Sequence, residues 1–294
     1  MQALGKFKAA LTSSELQVLH QCLSDAMQAL PENFMAWYLG SSNRATGHLD
    51  PEHAKILQSL RQDWKSLPQG LSWDTPEKTP ASRSLALAQL AEDLRVRGFI
   101  TGWRNEKFSF WFDERTADPL SKVPEPSRPD AFCMERAAFR FFGLHSHAVH
   151  INGFTPEGFM WCGRRAMSKA TDPGLLDNLA AGGLPAGESL AMCSVRELWE
   201  EAGVPASLAL TRMRSGQVST CRKVQEGWHH ETLWIDNLTL PPEVQPVNQD
   251  GEVGEFVCMS PTRVIQAIEA KSFTVDAACV IAQSVLKFSS AHPK

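Results

Sequence analysis

Residues 182–204 read GGLPAGESLAMCSVRELWEEAGV, a glycine-rich loop that runs directly into an acidic helix. No other segment of the chain restricts the fold as much. The glycines allow a tight turn close to a ligand, and Gly203 suits a left-handed C-terminal cap. On a helix, Glu197, Glu200 and Glu201 stand at i, i+3 and i+4, so three carboxylates share one face. Their mutual repulsion costs a few tenths of a kcal/mol per pair. A hard divalent cation removes that cost, and Mg²⁺ binds through a few carboxylates, several waters and substrate phosphates. Leu190, Cys193 and Leu198 occupy other parts of the same helix and are expected to anchor it in the core.

Composition narrows the rest. The chain has 294 residues, 43% apolar and 21% charged, with a net charge of −4. It is expected to be a folded protein of one or two domains. A mildly acidic chain lacks the basic face that nucleic-acid or anionic-membrane binding needs, so neither partner is expected. No stretch reaches the roughly 18 apolar residues of a membrane span. The start, MQALGKFKAALTSSELQ, lacks the apolar core of a secretory signal. The seven cysteines are never closer than 21 positions, which excludes a CxxC metal knuckle. They are expected to be reduced thiols in a cytoplasmic protein.

The first hundred residues read as helical. Ser13 or Ser14 caps a helix to about Leu30, Asp50–Pro51 starts one to about Leu67, and a third runs from about Ala81 to Arg97. Residues 107–113 then alternate like a strand, and 121–130 form a proline-rich connector. Further strand-like runs fall at 137–143, 147–153, 158–165, 207–214, 217–224, 229–236 and 254–259. Helices are expected from Ser260–Pro261 and over about Thr274–Phe288. Strands mixed with a few helices, without a βαβ rhythm, suggest an α+β or α/β sandwich. A boundary near residue 140 divides the chain into 1–140 and 141–294.

The spacing Gly182, Glu188, Arg196-Glu197-Leu198, Glu200-Glu201, Gly203-Val204 fills every fixed position of the Nudix box, and the chain resembles Nudix hydrolases. A chance match in a chain this long is on the order of 10⁻⁷. The resemblance implies an α/β/α sandwich with a mixed sheet, preceded by a smaller, mostly helical α+β domain. It implies hydrolysis of a diphosphate linkage with Mg²⁺, or Mn²⁺ as a substitute. Glu197 would be a metal ligand and the base that activates water, with Arg196 orienting it. Glu200, Glu201 and the carbonyl of Ala181 would be further ligands. Gly182, Glu188 and Gly203 would support the loop and helix. A further acid from NQDGEVGEF (248–256) is expected, Glu252 being favoured over Glu255.

Outside the box the chain resembles a narrower group, Nudix proteins related to the Nudix part of fungal thiamine pyrophosphokinase fusions and to some plant Nudix proteins. GWRNE (102–106), MERAAFRFFG (134–143), HAVHINGF (147–154), the run 164–183, WHHETLWI (228–235) and NQDGEV (248–253) carry that likeness. It implies removal of the terminal phosphate from oxidised or damaged thiamine diphosphate analogues. With 294 residues the chain has no room for a kinase part, so hydrolysis is the expected activity. Arg164, Arg165 and Lys169 are candidates to grip that phosphate, the alternative being a solvated face. Trp103, beside Arg104 and Asn105, is a candidate to stack on the thiazole or pyrimidine ring, the alternative being a core tryptophan. An ADP-ribose or NADH-type dinucleotide pyrophosphatase and a ligand-sensing regulatory protein are the other readings. A small-molecule diphosphate is the expected partner, with a homodimer as an open assembly.

Overall fold

The computed structural model describes residues 2–111, 124, 126 and 130–289. Of the expected connector 121–130, only Pro124, Pro126 and Asp130 are among them, and the end of the expected strand 107–113 lies outside them. The first helices are α1 (Gln2–Ala9) and α2 (Ser13–Asp25). They are followed by β1 (Met35–Leu39), β2 (Gly47–Leu49), α3 (Pro51–Leu60), β3 (Trp64–Leu67), β4 (Gly70–Trp73), α4 (Pro80–Val96), β5 (Lys107–Phe110), β6 (Phe132–Glu135) and α5 (Arg136–Phe141). The remainder is β7 (His145–Phe154), β8 (Met160–Arg165), β9 (Leu176–Asp177), β10 (Ala180–Gly183), α6 (Leu190–Ala202), α7 (Ala206–Ala209), β11 (Met213–Val224), β12 (Gly227–Thr239), β13 (Val253–Met259), α8 (Pro261–Glu269) and α9 (Val275–Lys287).

Residues 145–259 build a mixed seven-stranded sheet ordered β11-β12-β7-β8-β13, with β10 paired to β7 and β9 to β8. β12 runs parallel to β7 and the other pairs are antiparallel. Strand alternation sorts β7 between the two faces. Val149 and Ile151 pack with Leu190, Cys193 and Leu198 of α6, whereas Ala148 packs with Val280 of α9. Helices therefore cover opposite faces, which is the expected α/β/α sandwich.

A second sheet, β2-β1-β4-β3, carries α3 and α4 and shares an aromatic core with the β5–β6 hairpin. Trp37 contacts Trp64, Phe132 and Phe142, and its Nε1 donates to the Phe142 carbonyl at 2.8 Å. α1 and α2, which a division at residue 140 assigns to this part, pack elsewhere. Their Leu4, Phe7 and Leu19 join Phe154, Ile265 and Ile281 in the core beneath α8 and α9.

Several elements differ from the sequence expectation, for local reasons. α2 is capped by Thr12 and ends at Asp25, because Ala26 and Gln28 exchange backbone hydrogen bonds with Cys221 of β11. α3 stops at Leu60 because Trp64 is needed in the aromatic core, paired with Trp73 across β3 and β4. Residues 137–143 are not a strand: the Glu135 side chain caps α5 by accepting from the Ala137 N–H. Residues 207–214 split between the short α7 and the start of β11.

Candidate active site

β10 lies antiparallel on β7, with Ala181 opposite His150 and Gly182 opposite Val149. The loop is then fastened by Leu184 N–H to His147 O (2.8 Å) and Ala186 N–H to Lys107 O (2.8 Å). Gly187 takes φ +84°, and Ser189 caps α6 by accepting from Met192 N–H. Leu190, Cys193 and Leu198 are buried and fix the rotation of α6. At its far end Gly203 adopts φ +63°, where a Cβ would stand 2.7 Å from Val247 O. The following loop straps back through Val247 N–H to Ala202 O and Gln249 N–H to Glu200 O. That strap carries Glu252 toward the helix.

This anchoring turns the acidic face of α6 toward the loop. Glu197 and Glu201 are each only 8% exposed, and Glu200 is half-exposed. Arg196 donates to Glu197 Oε1 at 2.7 Å, Glu200 Oε2 at 2.9 Å and Glu188 Oε2 at 2.9 Å, so Glu188 reaches the acids through the guanidinium. Glu201 Oε2 accepts from the Ala181 N–H at 2.8 Å. Burial pushes the Glu197 carboxyl up to about 7, against the lowering effect of Arg196. Burial, then the neighbouring Glu197, raises Glu201 well above the carboxylate range.

One guanidinium shared among Glu188, Glu197 and Glu200, with Glu201 held by a backbone N–H, leaves negative charge uncompensated in a half-buried place. The atoms these carboxylates offer are all oxygens, the chemistry that Mg²⁺ or Mn²⁺ takes. Glu197, Glu200 and Glu201 offer that donor chemistry.

The other expected residues separate into two groups. Lys169 pairs with Glu252, and both act electrostatically on the acidic helix face: Glu252 raises Glu197 and Lys169 lowers Glu201. Burial alone would raise the Glu252 carboxyl, but Lys169 brings it below its ordinary value. Arg165 donates to Asp177 at 3.0 Å and, with Lys169 and Arg104, lines a cleft of about 480 Å³. Ala181, Gly182 and Gly183 form part of its wall. Arg164 points elsewhere, since alternation along β8 directs it to Glu255 at 2.6 Å. Trp103 is also outside the cleft lining. It packs on the aromatic core, lies under Arg95 and donates to Asn105 Oδ1 at 2.9 Å, which also commits Asn105. Neither Arg164 nor the Trp103–Asn105 pair is thus positioned to meet a ligand in the cleft.

Sequence reasoning missed Arg136, Arg140, Arg222, His229, Glu231 and Asp276, all of which line the cleft. Arg136 and Arg140 are spaced i, i+4 on α5, a signal lost by reading that segment as a strand. Arg222 and Glu231 lie on strands read only for apolar alternation. Asp276, in the first turn of α9, faces Arg222 only in the folded chain. The histidines of residues 145–150 divide between faces. His145 meets His147 edge-on and lies beside His230, whereas His150 contacts Asn178 at 2.7 Å on the cleft side.

The family described as NUDIX domain matches residues 144–281. The chain is 35% identical over 205 residues to "Nudix hydrolase 24, chloroplastic" of Arabidopsis thaliana, covering 69% of this chain and 53% of that protein. It is 36% identical over 197 residues to "Nudix hydrolase 20, chloroplastic" of the same plant, covering 66% and 50%. The chain thus spans about half the length of the curated relatives it matches. Among solved structures, DR0079 from Deinococcus radiodurans aligns at 15% identity with a TM-score of 0.43, covering 61% of this chain and 99% of that one.

Proposed function

We propose that this chain, whose residues 144–281 match the NUDIX domain family, hydrolyses a diphosphate linkage and removes the terminal phosphate of thiamine diphosphate analogues. One observation carries the first part of this reading. Glu197 and Glu201 of α6 stand behind the box loop, against Gly182 and Ala181, and that loop forms part of the wall of a cleft also lined by Lys169, Arg165, Arg104 and Asp177. Such a site suits a polyanion with a short reach between its phosphates.

The roles follow from what each group touches. Glu197 Oε1 is held by Arg196, which leaves Oε2 to take a proton from the attacking water. Glu200 and Glu201 would hold a divalent ion, and the Ala181 N–H fixes the Glu201 carboxyl. When bound, the ion offsets phosphate charge and lowers the pKa of water. Lys169, with Arg165 and Arg104, steadies the departing phosphate. Glu252, tied to Lys169, keeps that cation beside the acids.

Thiamine diphosphate analogues are supported by the resemblance of the segments around the cleft, two of which, residues 134–143 and 228–235, supply Arg136, Arg140, His229 and Glu231 to its lining. The deciding experiment is a panel of diphosphates incubated with Mg²⁺, with products identified by mass. Thiamine monophosphate analogues and orthophosphate are the expected products. Release of AMP from ADP-ribose or NADH at a higher kcat/KM would replace this substrate with a dinucleotide.

A further inference from the structure

The cleft continues past the phosphate-gripping cations. Along β7, Ala181 of the box lies opposite His150, and Glu231 of β12 lies beside Ser146. Four residues of strand separate these levels, roughly 13 Å. Ser146 and His150 share the strand face that lines the cleft. One ligand with a diphosphate at the box level therefore has a second group at the level of Glu231.

Three titratable side chains meet there: His229, Glu231 and Asp276. Asp276 is already committed. Arg222 donates to both of its oxygens at 2.8 Å, and Thr220 donates to one at 2.9 Å. A metal ion placed among the three would face that guanidinium, so the spacing alone does not make a cation site. Two polar atoms remain. His229 Nε2 is buried without a hydrogen-bond partner, 3.7 Å from Glu231 Oε2 and 3.8 Å from Asp276 Oδ2. Glu231 Oε2 is the second, its sibling Oε1 accepting from Ser146 at 2.7 Å. A buried polar atom without a partner is uncommon in a folded chain and calls for an explanation. Burial holds the His229 imidazole below its ordinary pKa, so it is neutral near pH 7 and carries a single ring N–H.

We propose that His229 and Glu231 form the recognition subsite for the organic group of the substrate, a heterocycle whose edge carries an N–H beside an acceptor. Glu231 Oε2 accepts the ligand N–H, and His229 Nε2 donates to the ring nitrogen or carbonyl next to it. An aminopyrimidine and its deaminated, carbonyl-bearing form both present such an edge. This inference rests on the cleft being the diphosphate site, and it identifies the residues that read the part of the substrate not being cut.

The test uses the full chain and two probes that are not turned over, thiamine monophosphate and benzyl phosphate. Titration calorimetry is run on the wild type, Glu231→Gln and His229→Asn, with melting curves to verify folding. Glu231→Gln preserves shape, and His229→Asn removes Nε2 in a smaller polar side chain. Each is expected to weaken thiamine monophosphate by roughly 10- to 100-fold while benzyl phosphate stays within about twofold. Equal losses for both probes, or no loss for thiamine monophosphate, would overturn the proposal. So would stoichiometric Zn²⁺ or Mn²⁺ binding that Glu231→Gln abolishes and Glu201→Gln spares. If the wild type binds thiamine monophosphate through Glu231 yet cuts no diphosphate, the subsite stands and the hydrolytic reading falls.

Discussion

Gly182 and Glu197 are packed so closely that a Cβ on the glycine would overlap the glutamate carboxyl. The glycine is thus required by what faces it, at a position where its backbone conformation is ordinary strand. Gly182→Ala must displace the carboxyl by more than an ångström. A shift of that size is expected to lower kcat roughly 100-fold and to weaken Mg²⁺ binding. Far-UV circular dichroism should change little, since α6 stays anchored by Leu190, Cys193 and Leu198. Unchanged turnover in this variant would mean that Glu197 is not the group that meets water.

The carboxyl of Glu197 also makes stability depend on pH. Its folded-state pKa is about 7 against an ordinary 4.5, chiefly through burial. Between those values the folded chain keeps a proton that the unfolded chain has lost. The stability tied to this group is therefore fully present below about pH 4.5 and is lost as pH rises through 7, by on the order of 3 kcal/mol. The buried His145 and His229, both held below their usual range, act in the opposite sense. Comparison with Glu197→Gln cancels them. In EDTA, the melting temperature of Glu197→Gln relative to wild type should rise from pH 5 to pH 8, and Mg²⁺ should narrow that gap. A difference that does not vary with pH would contradict the burial of an uncompensated charge.

Lys169 and Glu252 join the loop before the box to the loop strapped on its C-terminal end. The two are expected to act differently in catalysis. Lys169→Met should raise KM for the diphosphate by about 10-fold or more, since a cation facing phosphate is lost. Glu252→Gln should act mainly on kcat by releasing Lys169 from its place. Because they form one pair, the double variant should fall short of the product of the single effects. Full multiplicativity would make them independent.

What could be read from the sequence follows from the range of the forces involved. The box was legible because its glycine, arginine and glutamate spacing is local: one loop and one helix bring Glu188, Arg196, Glu197 and Glu200 together. The central strands β7 and β8 were legible from alternation. The strands β1, β3 and β4 were not, because Trp37, Trp64 and Trp73 form a core only once three short segments meet. Arg164 and Arg165 looked equivalent as neighbours, yet one step along β8 sends them to opposite faces, to Glu255 and Asp177. His229 and Asp276 are 47 positions apart in sequence and meet only through the packing of α9 on the sheet.

Phe108 links the two parts of the molecule. Its ring lies where a Gly183 Cβ would stand, it packs edge-on to Phe139 of α5, and the Arg136 guanidinium sits 5.3 Å above it. Phe108→Ala removes a buried ring from between the aromatic core and the box loop. The expected cost is about 3–5 kcal/mol, with a larger loss of kcat/KM than of melting temperature would suggest, because Gly183 loses its support. Denaturant titration and steady-state kinetics on one preparation check both. Loss of stability with kcat/KM intact would make Phe108 a core residue only.

Asp236 tests how α6 is held from the other side. It is 1% exposed and accepts from Ser194 of α6 at 2.8 Å, from Arg212 Nε at 3.0 Å and from Arg214 Nε at 2.5 Å. Arg212 also donates to the Ala191 carbonyl at 3.0 Å, so the carboxylate and its arginines tie the start of α6 to β11 and β12. Asp236→Asn keeps the shape but leaves two guanidiniums without their counter-charge. Breaking a buried network in this way is expected to cost about 3–5 kcal/mol. If the cost arises from the stranded cations, removing them should recover much of it. The triple change Asp236→Leu, Arg212→Met, Arg214→Met should then be more stable than Asp236→Asn in urea titration. A triple variant no more stable than the single one would assign the loss to the Ser194 contact and the register of α6 instead.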